Sequence, residues 1–284
     1  MQQDIYSQNW QKARTLALKE GLKIVDYGWE QHVIIEEPAG IVYRYPRHDA
    51  AAAKLADEVA VLSDIHRHQW PIRLPVMQDH NKIFTSYKYI PGEVLTEEMV
   101  SSLITSDFER IGQNLGEFIA LFHQLNFAIV LQKKTSHSTS LFEYYENRIN
   151  NAGLGEHKTK ALAAISELET YTGKAKPVVL HGDLHGPNVV INPQNKELVG
   201  VIDLSEIEIG DPHQEFRKIF MTFPMSLEAS LRGYESKGGQ KLDKQAIILW
   251  AYTNEWANLC YFAHTPANLT YQRALKHLKK WDQL

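Results

Sequence analysis

The tetrapeptide Ile90-Pro91-Gly92-Glu93 divides the sequence into two stretches that call for different architectures. Before it, short runs rich in Val, Ile and Tyr are set off by glycine and polar residues; after it, apolar residues recur at helical spacing. Proline gives no amide proton to a ladder and glycine accepts conformations closed to other residues, so the pair is punctuation. The first stretch predicts a helix over 7–22 and strands over 23–27, 32–36, 40–45, 76–79 and 83–89, with turns at Gly28 and Ala39-Gly40. Between the third and fourth strands a helix is predicted over 49–66, with Asp49 as its N-cap and Leu55, Val59 and Leu62 as its buried stripe.

Past Gly92 the spacing of Ile111, Leu115, Phe118, Ile119 and Phe122 predicts a helix over 108–125, and the chain to Leu180 reads as helices joined by polar loops. Strand character returns near Val178, and 189–191 with 198–202 read as a hairpin across Asn192-Pro193-Gln194-Asn195. From Pro212 onward the chain reads as helical, with aromatic-rich segments at 247–264 and 271–281. The fold class expected is α+β: an N-terminal lobe over 1–89 with an antiparallel sheet, then a larger, mostly helical lobe over 90–284.

Charge narrows the partners. Thirty basic residues against thirty-four acidic ones leave a net charge of -4, which is no footprint for nucleic acid or an anionic membrane. No run approaches the roughly 20 apolar residues that span a bilayer. The polar, mixed-charge stretch 1–21 lacks the apolar centre of a signal peptide, so a cytoplasmic protein is expected, monomeric or a weak homodimer. Cys260 is the single cysteine, which excludes an intramolecular disulfide, and its apolar surroundings mark it as a small buried hydrophobe.

The chemistry is concentrated in His181-Gly182-Asp183-Leu184-His185-Gly186-Pro187-Asn188, followed by an apolar strand that ends in Val201-Ile202-Asp203. The octet has the spacing of a kinase catalytic loop, in which an Asp accepts the proton of the acceptor hydroxyl and an Asn five residues on holds a magnesium ion. Phosphoryl transfer needs an acceptor oxygen held in line with phosphorus and cations that neutralise the triphosphate. Asp183 suits the first task; Asn188 and Asp203 supply hard oxygens for Mg2+, with ATP or GTP as the donor. Two other readings remain open on these residues. His181, Asp183 and His185, with Asp203, have ligand types suited to zinc, and a loop with only structural hydrogen bonds would use the same side chains.

The octet with Val201-Ile202-Asp203 resembles the signature of the aminoglycoside phosphotransferase family, small-molecule kinases of protein-kinase-like fold. Val201-Ile202-Asp203-Leu204-Ser205 followed by Ile209-Gly210-Asp211-Pro212 and Phe216 is most similar to the members acting on the 2″-hydroxyl of aminoglycosides. Val42-Tyr43-Arg44-Tyr45-Pro46-Arg47, Glu58-Val59-Ala60-Val61-Leu62, Leu121-Phe122-His123 and Gly233-Tyr234 extend the likeness over about 26–234.

The resemblance implies a bilobal fold with nucleotide between the lobes, Asp183 as catalytic base, and Asn188 and Asp203 as magnesium ligands. It makes Tyr87 to Ile90, Tyr89 included, a hinge that meets the purine with backbone groups. It has His181 brace the catalytic loop and Asp211 bond the loop backbone. Where the family often has a phosphate-contacting lysine paired with a helix glutamate, this chain has Arg44, with Glu58 as the glutamate; Arg47 is a competing phosphate contact and an exposed strand charge the plainer reading of Arg44. Gly28-Trp29-Glu30-Gln31 lacks the glycines of a protein-kinase phosphate loop, and Glu215 stands where the family usually has Asp.

A cationic aminosugar acceptor would need carboxylates, for which Glu206, Glu208 and Glu215 are expected, with Glu143, Glu146 and Glu255 as further sources. Trp256 is the expected aromatic wall, among Tyr144, Tyr145, Trp250, Tyr252 and Tyr261, all of which also fit a helical core. Other acceptors compatible with these residues are macrolides, sugars, choline-like amino alcohols and homoserine, and an idle nucleotide-binding module is the alternative from another class.

Overall fold

The computed structural model describes residues 5–26, 30–126, 128, 141–150, 155–171 and 174–281. The turn expected at Gly28 and the side chains of Glu143 and Tyr144 lie outside the described residues. The chain forms two compact units, one drawn from 1–103, 124–135 and 181–208, the other from 104–123, 136–180 and 209–284.

The first unit begins with α1 (Ile5–Glu20), then β1 (Lys23–Val25), β2 (Gln31–Glu36) and β3 (Ile41–Pro46). After α2 (Asp49–Ile65) come β4 (Met77–His80) and β5 (Thr85–Lys88). The five strands form one antiparallel sheet in the order β1-β2-β3-β5-β4. Side chains alternate along a strand, and the two faces of β3 do different things. Tyr43 and Tyr45 join Ile34 in the layer packed under α1, where Trp10 stacks on His32 at 4.2 Å. Arg44, between them, points to the other face. By register Val33 and Thr85 flank Arg44, while Gln31 and Tyr87 lie one step along the same face.

α2 runs beneath that second face. Its N-cap is His48 rather than Asp49: the His48 ring accepts from the Ala51 amide, and Asp49 falls in the first turn, where its charge suits the helix dipole. The buried stripe also differs from expectation. Ala51, Leu55, Glu58, Leu62 and Ile65 are buried whereas Val59 is only partly so, because the helix turns its carboxylate, not its valine, toward the sheet.

Two residues past Pro91 the chain forms a short strand that helical spacing had hidden, β6 (Glu93–Val94). After α3 (Glu97–Ser102) and a long excursion through the second unit, the chain re-enters the first unit at His181. A 3-10 turn (Gly186–Asn188) leads into β8 (Val189–Ile191), which pairs with β6 and, as the expected hairpin, with β9 (Leu198–Val201). At the hairpin turn the Asn192 side chain accepts from the amides of Gln194 and Asn195. Gly92 (φ 150°) lies so close to the ladder that a Cβ there would sit 2.7 Å from the Ile191 carbonyl oxygen.

The second unit contains α4 (Thr105–Phe122), α5 (Leu141–Asn150), α6 (Gly155–Glu169), β7 (Val178–Leu180), all but the first residue of β10 (Glu208–Gly210), α7 (His213–Thr222), α8 (Leu227–Ser236), α9 (Lys244–Tyr261) and α10 (Leu269–Trp281). α4 buries the expected Ile111, Leu115, Phe118, Ile119 and Phe122. Its other contact was not legible. α4 and α8 approach so closely at Gly116 that a Cβ there would fall 1.9 Å from the Ser230 carbonyl oxygen. Leu249, Trp250 and Cys260 of α9 form a core with Tyr145, Ile149, Ile165 and Leu168, as expected of the lone cysteine. Among the described residues no helix is long and apolar enough to cross a membrane.

Candidate active site

The hairpin explains how residues far apart in sequence meet. Val189 pairs with Val201, so the residues just outside that pair, Asn188 and Ile202, lie side by side, and the Ile202 amide donates to the Asn188 carbonyl at 3.0 Å. Asn188 ends the catalytic-type loop and Asp203 follows Ile202, so one antiparallel ladder brings both to the open end of the hairpin. Among the described residues Asp203 is one of two non-glycine residues with positive φ, at 64°, a conformation Asp tolerates better than most and one that clusters at functional sites.

The loop is held from within. The His181 ring is fully buried; its Nδ1 accepts from the Asp183 amide (3.4 Å), which leaves Nε2–H to donate to the Ile202 carbonyl (3.2 Å). Asn188 Nδ2 donates to the Asp183 carbonyl (2.8 Å) and to Asp183 Oδ2 (3.2 Å). With its nitrogen committed, the Asn188 side chain offers its oxygen as the free pole. His185 Nε2 lies 3.2 Å from the same Asp183 Oδ2, a contact the sequence reading did not assign. Gly182 has φ 83°, and a Cβ there would sit 2.3 Å from the Glu206 carbonyl oxygen, so that close approach and that backbone turn both require glycine.

Arg44 is not an exposed strand charge: it is buried, and its three kinds of nitrogen serve three partners. Nε donates to Gln31, Nη1 to Glu58 at 2.7 Å and Nη2 to Asp203 at 2.8 Å across 159 residues of sequence. Glu58, wholly buried, also accepts from the Tyr87 hydroxyl (3.1 Å) and the Leu204 amide (3.0 Å). The planar guanidinium makes this fork possible; a lysine ammonium could not span it.

The electrostatics follow from those contacts. Burial pulls the Arg44 guanidinium down, but Asp203 and Glu58 outweigh it, and it stays charged. Burial pushes Asp203 up; Arg44 and the Ser205 hydroxyl (2.7 Å) overcome this and hold it below the usual carboxylate range, against a smaller upward push from Asp183. Glu58 is raised by burial in spite of Arg44. Arg47, the competing phosphate contact, is instead paired with Asp26 at 2.6 Å.

Around the expected hinge, Tyr87 sits in β5 opposite Val42, with its hydroxyl on Glu58. The amides of Lys88 and Tyr89 donate to the carbonyls of Val76 and Gly40, while the Ile90 amide has no acceptor among the described residues. Tyr89 and Ile90 also line a pocket with Trp70, Arg73 and Lys88.

The expected acceptor contacts scatter. Glu206 pairs with Lys54 at 2.6 Å and Glu208 is partly exposed in β10. Glu215 is 1% exposed, its carboxylate 3.8 Å from the buried His123, whose Nδ1 is 2.9 Å from the Tyr234 hydroxyl. Glu255 is likewise internal, against His277 (2.7 Å) and Asn258. Trp256 packs half-buried on the second unit's core with the Lys160 ammonium 5.3 Å from its ring. Asp211 accepts from the amide and ring of His213 at the start of α7. The zinc reading finds no support, because among the described residues no group of three His, Cys, Asp or Glu could hold a metal.

This geometry can be set beside known proteins. A family model described as the phosphotransferase enzyme family matches residues 22–250. The chain belongs to that family. Solved structures agree on the fold. The GDP complex of wild-type aminoglycoside 2'-phosphotransferase-IIIa superposes with a TM-score of 0.78 at 15% identity, over 96% of this chain and 97% of that one. The streptomycin-ATP-APH(2")-IIa ternary complex gives 0.71 at 15% identity, over 95% of each. Macrolide 2'-phosphotransferase MphH from Brachybacterium faecium gives 0.71 at 17% identity, over 94% of this phosphotransferase and 98% of MphH. No curated protein sequence matches this chain.

Proposed function

We propose that the chain transfers the γ-phosphoryl group of ATP or GTP to a hydroxyl of a small molecule, with Mg2+ as cofactor and an aminoglycoside-type antibiotic as acceptor. The observation that carries this reading is the hairpin end at which Asp183 is bonded to Asn188 while Asp203 emerges alongside, bonded to Arg44. In this reading residues 1–89 grip the nucleotide and 90–284 carry the catalytic loop and the acceptor.

Asp183 accepts the hydroxyl proton, and the Asn188 amide and the His185 ring fix the direction its carboxylate faces. The Asn188 side-chain oxygen and the Asp203 carboxylate, held ionised by Arg44, are hard oxygen donors that suit Mg2+ and would hold it. When bound, Mg2+ supplies positive charge against the triphosphate oxygens. Arg44 presents the protein's own charge to the phosphates, anchored by Glu58; Tyr87 helps to fix Glu58, and Ile90 offers its free amide to the base beside Tyr89. His181 braces the loop through the Ile202 carbonyl. Glu206, Glu208, Glu215 and Trp256 are the acceptor contacts to be tested, Glu215 at only 1% exposure.

Structures of the same fold carry kanamycin with GDP and streptomycin with ATP, which supports an aminosugar acceptor. Macrolide 2'-phosphotransferases of similar fold make macrolides the second arm of the test. The test is turnover of ATP and GTP with Mg2+ across aminoglycosides, macrolides, sugars, choline and homoserine. Stimulation by an aminoglycoside is expected, and Asp183→Asn should abolish it while nucleotide binding survives. Tight nucleotide binding with no acceptor stimulating turnover would overturn the reading in favour of an idle module.

A further inference from the structure

Lys54 stands one helical turn before Glu58 on α2, and residues four apart on a helix project from one face. Both grip the segment that follows Asp203. Glu58 accepts from the Leu204 amide at 3.0 Å, while the Lys54 ammonium reaches the Glu206 carboxylate at 2.6 Å and that of Glu30, just before β2, at 3.2 Å. Glu206 is also the residue against whose carbonyl Gly182 packs, with room for no Cβ, and Gly182 directly precedes Asp183.

We infer that Lys54 is a positioning residue: through Glu206 it holds the 203–206 segment against the Gly182-Asp183 backbone, and through Glu30 it ties the start of β2 to the same point. The inference rests on the roles proposed above for Asp183 and Asp203. One ammonium lies between two carboxylates from different parts of the chain, so its removal both breaks two bonds and leaves Glu30 and Glu206 to repel each other. Burial draws the Lys54 ammonium down, but Glu206 and Glu30 more than compensate, so the clamp stays charged. This gives Glu206 a task besides the acceptor contact proposed for it. All three side chains are partly exposed, and such ion pairs are individually weak, so the effect is a few-fold one.

The experiment uses the full chain as wild type, Lys54→Met, Lys54→Arg, Glu206→Gln and Lys54→Met with Glu206→Gln. Amide exchange of the 203–208 peptide, without nucleotide, is read beside steady-state kinetics. Lys54→Met should speed exchange and lower kcat, each about three- to fivefold, with acceptor KM little changed. Lys54→Arg should restore most of both, and the double variant should be no worse than Lys54→Met. Unchanged exchange in Lys54→Met, or a Glu206→Gln variant that raises acceptor KM at constant kcat, overturns the inference. Exchange needs no turnover, so a wild type without phosphoryl transfer would sink the proposed function while the exchange result still decides the role of Lys54.

Discussion

Replacing Arg44 with Met keeps much of the side-chain volume and removes the charge, which makes Glu58 the test of the site's electrostatics. In the native protein Glu58 is wholly buried and shares Arg44 with Asp203. Without Arg44 it keeps only the Tyr87 hydroxyl and the Leu204 amide, two neutral donors. Breaking one side of a buried ion pair costs about 3–5 kcal/mol, because the remaining charge stays out of water uncompensated. At roughly 2 °C per kcal/mol for a chain of this size, the melting temperature should fall by about 6–10 °C.

The deficit should depend on pH. Burial already raises Glu58, and loss of Arg44 raises it further. A group whose folded pKa exceeds its unfolded value contributes stability below the unfolded pKa and loses it as pH rises through the folded one. The gap between Arg44→Met and wild type should therefore be small near about pH 4 and widen toward neutrality. Adding Glu58→Gln should recover most of the loss at pH 7. Thermal melts by circular dichroism from pH 4 to 8 measure this. A drop under about 2 °C, or a double variant less stable than Arg44→Met, would refute the claim that Arg44 neutralises Glu58.

Asp203→Ala removes the carboxylate that Arg44 keeps ionised, and calorimetry should show nucleotide affinity no longer responding to Mg2+. Gly182→Ala forces a Cβ toward the Glu206 carbonyl at a φ of 83°, and should lower kcat about a hundredfold together with a fall of a few degrees in melting temperature, about 1–3 kcal/mol of strain. His123 is held below the usual histidine range by burial, against an upward pull from Glu215. Its contribution to stability is thus present above about pH 6.5 and lost as pH falls; His123→Gln should flatten the fall of melting temperature on that acid side.

What could be read along the chain is what depends on near neighbours. Five strands and a helix after the third, the α4 stripe from Ile111 to Phe122, the 189–201 hairpin and the octet from His181 to Asn188 all follow from periodicity, turn residues and spacing. Asp203 was legible because it ends an apolar strand two residues after the hairpin closes. β6 escaped notice because two residues carry no period, and the ladder on Val190 and Ile191 makes it a strand. Side-chain environments set by distant segments were beyond local pattern. Arg44 could be read as a phosphate contact or a surface charge until Glu58 and Asp203 were seen to share it, and the pairing of Glu206 with Lys54 and the burial of Glu215 beside His123 left no mark in the sequence. Local pattern sets which backbone each segment adopts, whereas burial and pairing of a charge are set by segments far away in sequence, so only the assembled structure decides which carboxylates face solvent and which hold the site together.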